Sequence, residues 1–347
     1  MGVRVGVDPA QCDGHVMVRF EKPLSTKAMT DIMTAIMAGE VSEAEIREFL
    51  STLARRGETA EEIAAAAEVL RAHAVAVPLS RSYELCDTCG TGGDGHNSIN
   101  VSTLGALVAA TCGVRVAKHG NRAASSRCGS ADLLEALGVN LDASPAQVAR
   151  CIEVAGFAFL FAPRFHPAMK VVAPVRKALG IRTLFNLVGP LANPVRLSSQ
   201  LVGVSEQRRM RPMAEALARL GIRRGMVVHG RDGLDEVTTT SETLVLELRE
   251  HMITERVLDP LTLGVPRRRL DELRGGKAED NARLALEVLA GSDSPISEIV
   301  AVNAGCAVYV AGVAPTIQEG VARAREALGS GRARTLLEQV KGLTRDA

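Results

Sequence analysis

The sequence contains no tryptophan, and aromatic residues make up only 3% of its 347 positions. A core organised around stacked rings is therefore excluded, and the interior has to be built from Ala, Val, Leu and Ile. No charge of one sign dominates either: 41 Lys and Arg face 40 Asp and Glu, for a formal net charge of +1. That balance, with no block of like charges, argues against a nucleic-acid partner and against a polybasic membrane-surface protein. Long apolar runs are missing as well. The longer ones, 104–114 and 154–163, fall short of the roughly 18 residues that a bilayer span requires. The seven cysteines are an odd, scattered set, which predicts reduced thiols rather than a disulfide framework. The N-terminus shows no basic segment followed by an apolar run, so a cytoplasmic location is expected. What remains is ordinary globular usage, 46% hydrophobic and 23% charged, in a length that accommodates about two domains.

Residues 20–82 read as a small helical domain. Ser25 precedes Met29, Ile32, Met33, Ile36 and Met37, which recur at helical spacing before Gly39. Ser42 with Glu45 and Thr59 with Glu62 are capping boxes, each followed by an apolar stripe: Ile46, Phe49, Leu50 and Leu53, then Ile63, Ala66, Ala67 and Leu70. Three such helices cannot bury these faces among themselves, so they must pack on the rest of the chain or on a second subunit. The Met29–Met37 stripe is expected to offer the surface for a homodimer. Residues 1–19 show no period and are expected to form an irregular extension.

From residue 83 to the end the pattern changes to short apolar runs alternating with helical segments. Strands are expected at 85–89, 115–117, 158–161, 200–204, 225–229 and 243–248. Helices are expected at 104–112, 131–137, 145–154, 208–220, 278–289 and 298–310. The fold class is therefore α/β: a small helical domain plus a larger α/β domain with a mostly parallel sheet, its ligand site beyond the carboxyl ends of the strands.

Three motifs fall where such a site would lie. Gly90-Thr91-Gly92-Gly93-Asp94-Gly95 follows a strand and precedes a helix start, with Ser98, Asn100, Ser102 and Thr103 close behind. Glycines admit a bulky anion, and amides at a helix N-terminus supply donors. The Gly-Lys-Ser ending of a P-loop is absent, and alone the stretch would most often be a plain connection with Ser102 as an N-cap. A second loop, Lys118-His119-Gly120-Asn121-Arg122, leads through Ser125 and Ser126 to Ser130 at another helix start. Its cations and hydroxyls form a second anion-binding surface. The third motif, Gly233-Leu234-Asp235-Glu236, sets adjacent carboxylates in a turn, a donor set that suits Mg²⁺ shared with substrate phosphates.

Together with 161–169, 175–177 and 185–194, these motifs, in this order, resemble the anthranilate phosphoribosyltransferase family of the nucleoside phosphorylase/phosphoribosyltransferase superfamily. The likeness runs from about residue 20 to 339. It implies transfer of the phosphoribosyl group of phosphoribosyl pyrophosphate (PRPP) to the amine of anthranilate, in tryptophan biosynthesis, by a homodimer using two Mg²⁺ ions per subunit. Carried onto this sequence, it implies that Gly90, Gly93, Asp94, Ser98, Asn100, Val101, Ser102, Thr103, Lys118, His119, Gly120, Asn121, Arg122, Ala123, Ala124, Ser125, Ser126 and Ser130 hold PRPP in the 83–347 domain. Ser102, Asp235 and Glu236 would hold the metal. Gly90, Asn121, His166, Arg176 and Pro190 would line the anthranilate path, with Arg176 facing the carboxylate. A segment near 170–195 is expected to rejoin the helical domain. No residue is assigned as acid or base, because the aromatic amine is already neutral.

Two alternatives remain at this point. A pyrimidine nucleoside phosphorylase would bind a single phosphate and would have less use for the Asp-Glu pair. A non-catalytic nucleic-acid-binding relative should lose these acids and gain a basic face. Cys86-Asp87-Thr88-Cys89 is formally C-x-x-C but has no second ligand pair, and strand alternation sends its two thiols to opposite faces.

Overall fold

The computed structural model describes residues 20–123 and 126–345. The expected extension at 1–19 lies outside the described residues. Three helices open the described chain, α1 (Thr26–Met37), α2 (Glu43–Arg56) and α3 (Ala60–Ala72). Each starts on the cap its sequence predicts: Ser25 accepts from the Ala28 amide, while Ser42 with Glu45 and Thr59 with Glu62 close reciprocal boxes. Glu62 does more than cap. It is buried and accepts from the amides of Leu24 (2.8 Å) and Thr59 (2.9 Å) and from Arg56, which ties the entry of α1 to α3.

The remainder alternates: β1 (Leu85–Gly90), α4 (Val101–Thr111), β2 (Arg115–Gly120), α5 (Ser130–Ala136), α6 (Pro145–Arg150), β3 (Phe157–Phe161), α7 (Ala162–Phe165), α8 (Ala173–Leu179), α9 (Leu184–Val188), β4 (Ser199–Gly203), α10 (Met210–Arg219), β5 (Arg224–Gly230), β6 (Thr243–Arg249) and β7 (Met252–Leu258). Four helices follow, α11 (Ala278–Leu289), α12 (Pro295–Val310), α13 (Ile317–Gly329) and α14 (Arg332–Arg345). The strands form one sheet in the order β3-β2-β1-β4-β5-β6-β7. The first five run parallel, and β6 and β7 are antiparallel additions. Helices cover both faces, as a parallel sheet demands. Along β3, Phe157 and Phe159 enter one core with α4 and α12, while Ala158 and Leu160 enter the other with the helical domain and α10.

Two expectations need correction. The Met29–Met37 stripe is not a dimer surface: Met29, Ile32, Met33, Ile36 and Met37 are all buried within one chain. They share a core with Phe165, Val172, Val175 and Leu184, because the chain returns to the helices after β3; α8 packs on α2, and α9 on α2 and α3. The helices thus find in their own chain the partners they lack among themselves. The second correction is β7, a strand the sequence pattern did not show. It is the exposed edge of the sheet, where only Leu258 of its residues is buried, and it follows β6 through a two-residue turn. That turn holds Glu250 (φ 43°) and His251 (φ 73°) in left-handed backbone normally marked by Asn or Gly, so no turn signal is written in the sequence.

Candidate functional site

The sheet order reverses direction between β1 and β4, whose carboxyl ends meet at the pair Gly90 and Gly203. This is the switch point at which ligands bind in open α/β sheets. The turn after β5 brings Asp235 across these two strand ends. A Cβ on Gly90 would collide with the Asp235 carboxylate, and one on Gly203 with the Asp235 backbone, so both positions are glycine for close approach. Asp235 Oδ2 accepts from the Gly92 amide (2.7 Å), and Glu236 Oε1 accepts from the Ser102 amide (3.1 Å) in the first turn of α4. The glycine loop, the start of α4 and the two carboxylates, far apart in sequence, are thereby one constellation.

Its charge is out of balance. Burial raises the Asp235 carboxyl above its ordinary range and Asp94 raises it further; burial and then Asp235 do the same to Glu236. Lys118, almost fully buried, opposes this at Glu236 and also at Asp87, while Arg182 opposes it at Asp235. The Lys118 Nζ donates to the Thr88 carbonyl and to Ser102 Oγ (3.2 Å), so it lies beneath the helix start rather than on the loop surface. Adjacent carboxylates with too little positive charge and a free supply of hard oxygen donors fit Mg²⁺, which takes one or two carboxylates and completes its shell with phosphate and water. They do not form a closed metal centre: among the described residues no group of three or more His, Cys, Asp or Glu could hold an ion alone.

The other predicted phosphate-side residues surround this centre with varied freedom. Gly93 adopts φ +73° in the loop, and Asp94 Oδ1 accepts from the His96 amide (3.1 Å). Ser98 bridges to Arg274, and Asn100 links Asn281 Nδ2 (3.0 Å) to the Cys128 carbonyl (3.0 Å). Asn100, not Ser102, occupies the N-cap of α4; Val101 is buried, and Thr103 Oγ1 is buried without a partner. Gly120 ends β2, with Asn121 exposed beyond it. Arg122 is already engaged by Asp132 (3.0 Å) and Glu135 (2.7 Å), so of the loop's two cations one is buried and the other ion-paired. The Ala123 amide donates to Asp132 Oδ2, Ser126 Oγ to Cys128 O, and Ser130 Oγ to Asn121 O (3.2 Å). Ala124 and Ser125 lie outside the described residues.

On the other side of β1, Pro190 closes against the sheet: its carbonyl accepts from Gln200 Nε2 (2.6 Å) and Cys89 Sγ (3.7 Å). The His119 and His166 rings meet edge to face with centroids 5.1 Å apart, and the Nε2 of each is buried without a partner. Arg176, half-buried in α8, lays its guanidinium over Phe185 at 5.4 Å and forms no ion pair among the described residues. Residues the sequence reading did not single out complete the set. Asp87 is fully buried between the His119 amide (3.3 Å) and Asn193 Nδ2 (3.0 Å), and Arg182 grips the glycine loop. The C-x-x-C thiols enter different cores, with burial holding Cys86 up at about 12.

Burial, then His166, pushes His119 down to about 3, whereas burial pushes Asp87 up to about 6. Between the ordinary histidine value of 6.5 and about 3, the unfolded chain takes a proton that folded His119 refuses, so stability falls as pH drops. Asp87 acts oppositely between 3.8 and about 6, since there the folded state keeps the proton and gains stability toward acid. His119→Gln should therefore flatten the acid loss, by up to about 1.4 kcal/mol per pH unit. Urea midpoints from pH 7.5 to 4.5 measure this, and parallel curves for wild type and variant would refute it.

The sequence matches the model of the "Glycosyl transferase family, a/b domain" over residues 82–334 and that of the "Glycosyl transferase family, helical bundle domain" over residues 16–74. Fold and site thus define a glycosyl-transferring enzyme with a helical and an α/β domain. Anthranilate phosphoribosyltransferase of Thioalkalivibrio sulfidiphilus is 49% identical over 321 residues, 92% of this chain and 95% of that one. The crystal structure of anthranilate phosphoribosyltransferase from Thermus thermophilus superposes with a TM-score of 0.90 at 49% identity, covering 94% of this chain and 97% of that chain. The enzyme from Saccharomyces cerevisiae, solved in complex with PRPP and Mg, gives 0.85 at 30% identity over 92% and 93%. The chain belongs to the anthranilate phosphoribosyltransferase family.

Proposed function

We infer that this chain transfers the phosphoribosyl group of PRPP to the amine of anthranilate, giving N-(5-phosphoribosyl)anthranilate and pyrophosphate in tryptophan biosynthesis. The observation that carries the reading is the junction of the glycine loop with the undercompensated carboxylates Asp235 and Glu236 at the switch point. In the reaction the C1–O bond to pyrophosphate breaks, a C1–N bond forms, and the amine gives up one proton. Ser102, Asp235 and Glu236 would hold Mg²⁺, two ions per subunit, and that cation neutralises the leaving pyrophosphate when bound. Around it, Gly90, Gly93, Asp94, Ser98, Asn100, Thr103 and Ser130 would seat the phosphates and ribose through amides, hydroxyls and side-chain amides. Lys118 would bias that region positive from below.

On the acceptor side, Arg176 would pair with the anthranilate carboxylate, and Asn121, His166 and Pro190 would shape the path. His119 fits orientation rather than proton transfer, because a ring held down at about 3 takes no proton near neutral pH. Catalysis is then leaving-group stabilisation and positioning. The proposal includes a homodimer through the helical domain, using faces other than the buried α1 stripe, and a helical domain of residues 20–82 completed by the segment around 170–195. A cytoplasmic location belongs to the same reading; among the described residues no helix is long and apolar enough to cross a membrane. The deciding assay is fluorescence: anthranilate emission should decay when protein, PRPP and Mg²⁺ are combined, and not when any one is omitted. Steady emission with all three present would sink the reading.

A further inference from the structure

Arg182 lies between α8 and α9, in the segment that also carries Arg176 and Pro190. Its guanidinium crosses to the glycine loop of the opposite half-site. Nη2 donates to the carbonyls of Gly92 (2.7 Å) and Gly93 (2.6 Å), while Nη1 donates to Ser205 Oγ (2.5 Å) and Glu206 Oε1 (3.2 Å) just beyond β4. The loop is pinned from the other direction too, since the Gly92 amide donates to Asp235 Oδ2. Both peptide groups flanking Gly92 are therefore fixed, one by an acid and one by a cation. Gly93 shows how closely the clamp fits: beyond its φ of +73°, any Cβ there would run into Arg182 Nη2. Carbonyls held by a charged donor are fixed more firmly than by neutral partners, and the planar fork lets one nitrogen hold both loop carbonyls while the other is anchored on Ser205 and Glu206, which the single nitrogen of an ammonium could not do.

We propose that Arg182 is a positioning residue for the transfer, holding the Gly90–Gly95 loop in its anion-receiving shape by fastening it to the acceptor-side segment. A loop with this many glycines has wide conformational freedom, and ordering it only when PRPP arrives would weaken binding. Arg182 orders it beforehand. Because α9 begins two residues later, with Thr183 and Asn186 capping it, the same clamp sets the spacing between the phosphate cradle and the Pro190 turn.

The proposal rests on the site being one for PRPP and anthranilate, so its test has an arm that needs no turnover. In Arg182→Gln without ligand, amide hydrogen exchange should speed up about tenfold or more in residues 90–95 and stay as in wild type in β2 and β5. With PRPP and Mg²⁺, the KM for PRPP should rise about tenfold or more, with the KM for anthranilate changed far less. Arg182→Lys should recover part of both effects, because an ammonium returns a charged donor to the loop carbonyls without the second anchor on Ser205 and Glu206. Should Arg182→Gln fail to fold, Ser205→Ala, which removes one anchor of the guanidinium, should show the same loosening on a smaller scale. Unchanged exchange at 90–95 together with an unchanged PRPP KM overturns the proposal, as does an equal rise in both KM values. If wild type turns over no anthranilate, the functional reading fails, while the exchange arm still decides what Arg182 does.

Discussion

Replacing Glu236 by Gln should lower kcat about a hundredfold or more and at the same time make the metal-free protein more stable at pH 8. The two effects share one cause. Glu236 is held above the ordinary carboxyl range by burial and by Asp235, so near neutral pH its ionised form carries a repulsion that Lys118 offsets only in part. A group whose folded pKa is raised contributes stability at low pH and loses it as pH rises through that range. The amide removes this penalty, so the gain in melting temperature should be present at pH 8 and vanish toward pH 4. The charge that strains the free protein is the one that would retain Mg²⁺ beside pyrophosphate, and removing a comparable stabiliser of developing charge costs on the order of 10²–10³ in rate. Asp235→Asn should behave alike in rate, with a smaller stability gain because the hydrogen bond Asp235 accepts from the Gly92 amide (2.7 Å) is shorter than the one Glu236 accepts from the Ser102 amide (3.1 Å). Melting curves with and without Mg²⁺ plus pyrophosphate supply the second readout: the ligands should stabilise wild type and do much less for either variant. A variant that keeps wild-type kcat would remove these carboxylates from the mechanism.

What could be read from the sequence, and what could not, follows from the range over which each signal acts. The capping boxes at Ser42 and Thr59 are local, and both form as written. The first six strands, five parallel and β6 antiparallel, are legible because each lies largely buried in the sheet as a short run, whereas β7 is an exposed edge reached through Glu250 and His251, neither of which announces a turn. The Met29–Met37 stripe was legible as apolar but not as core, since its cover comes from residues after 160. In the site, Gly90 and Asp235 stand out in motifs of their own. Gly203 does not: it is a single glycine at a strand end, required only because Asp235 passes over it. Arg182 is one of 41 Lys and Arg, and its partners at Gly92 and Gly93 are about ninety positions away. Asp87 sits inside C-x-x-C with no motif of its own, yet it receives the His119 amide and the Asn193 side chain beneath the switch point. Residues that position others leave no local pattern, because the pattern they obey belongs to the packed sheet.

Arg176→Ala should raise the KM for anthranilate about ten- to a hundredfold and leave both kcat and the KM for PRPP nearly unchanged. The guanidinium is half-buried, lies over the Phe185 ring at 5.4 Å and forms no ion pair among the described residues, so its charge is available to a ligand. Burial holds its pKa below the usual arginine value, and a guanidinium stays a cation in proteins. A flat aromatic acid can meet such a group with its carboxylate in the fork, a charge-assisted contact worth roughly 1.5–3 kcal/mol. The carboxylate takes no part in bond making at C1, so the contact is equal in ground and transition states, and its loss appears in KM rather than kcat. Arg176→Lys should fall between, since it keeps the charge and loses the fork and the stacking. Folding gives an internal control: an unpaired, partly buried cation contributes little to stability, so Arg176→Ala should melt at or slightly above the wild-type temperature. A raised PRPP KM with an unchanged anthranilate KM would move the acceptor carboxylate elsewhere, and the buried ring nitrogens left without partners at His119 and His166 would be the next groups to substitute.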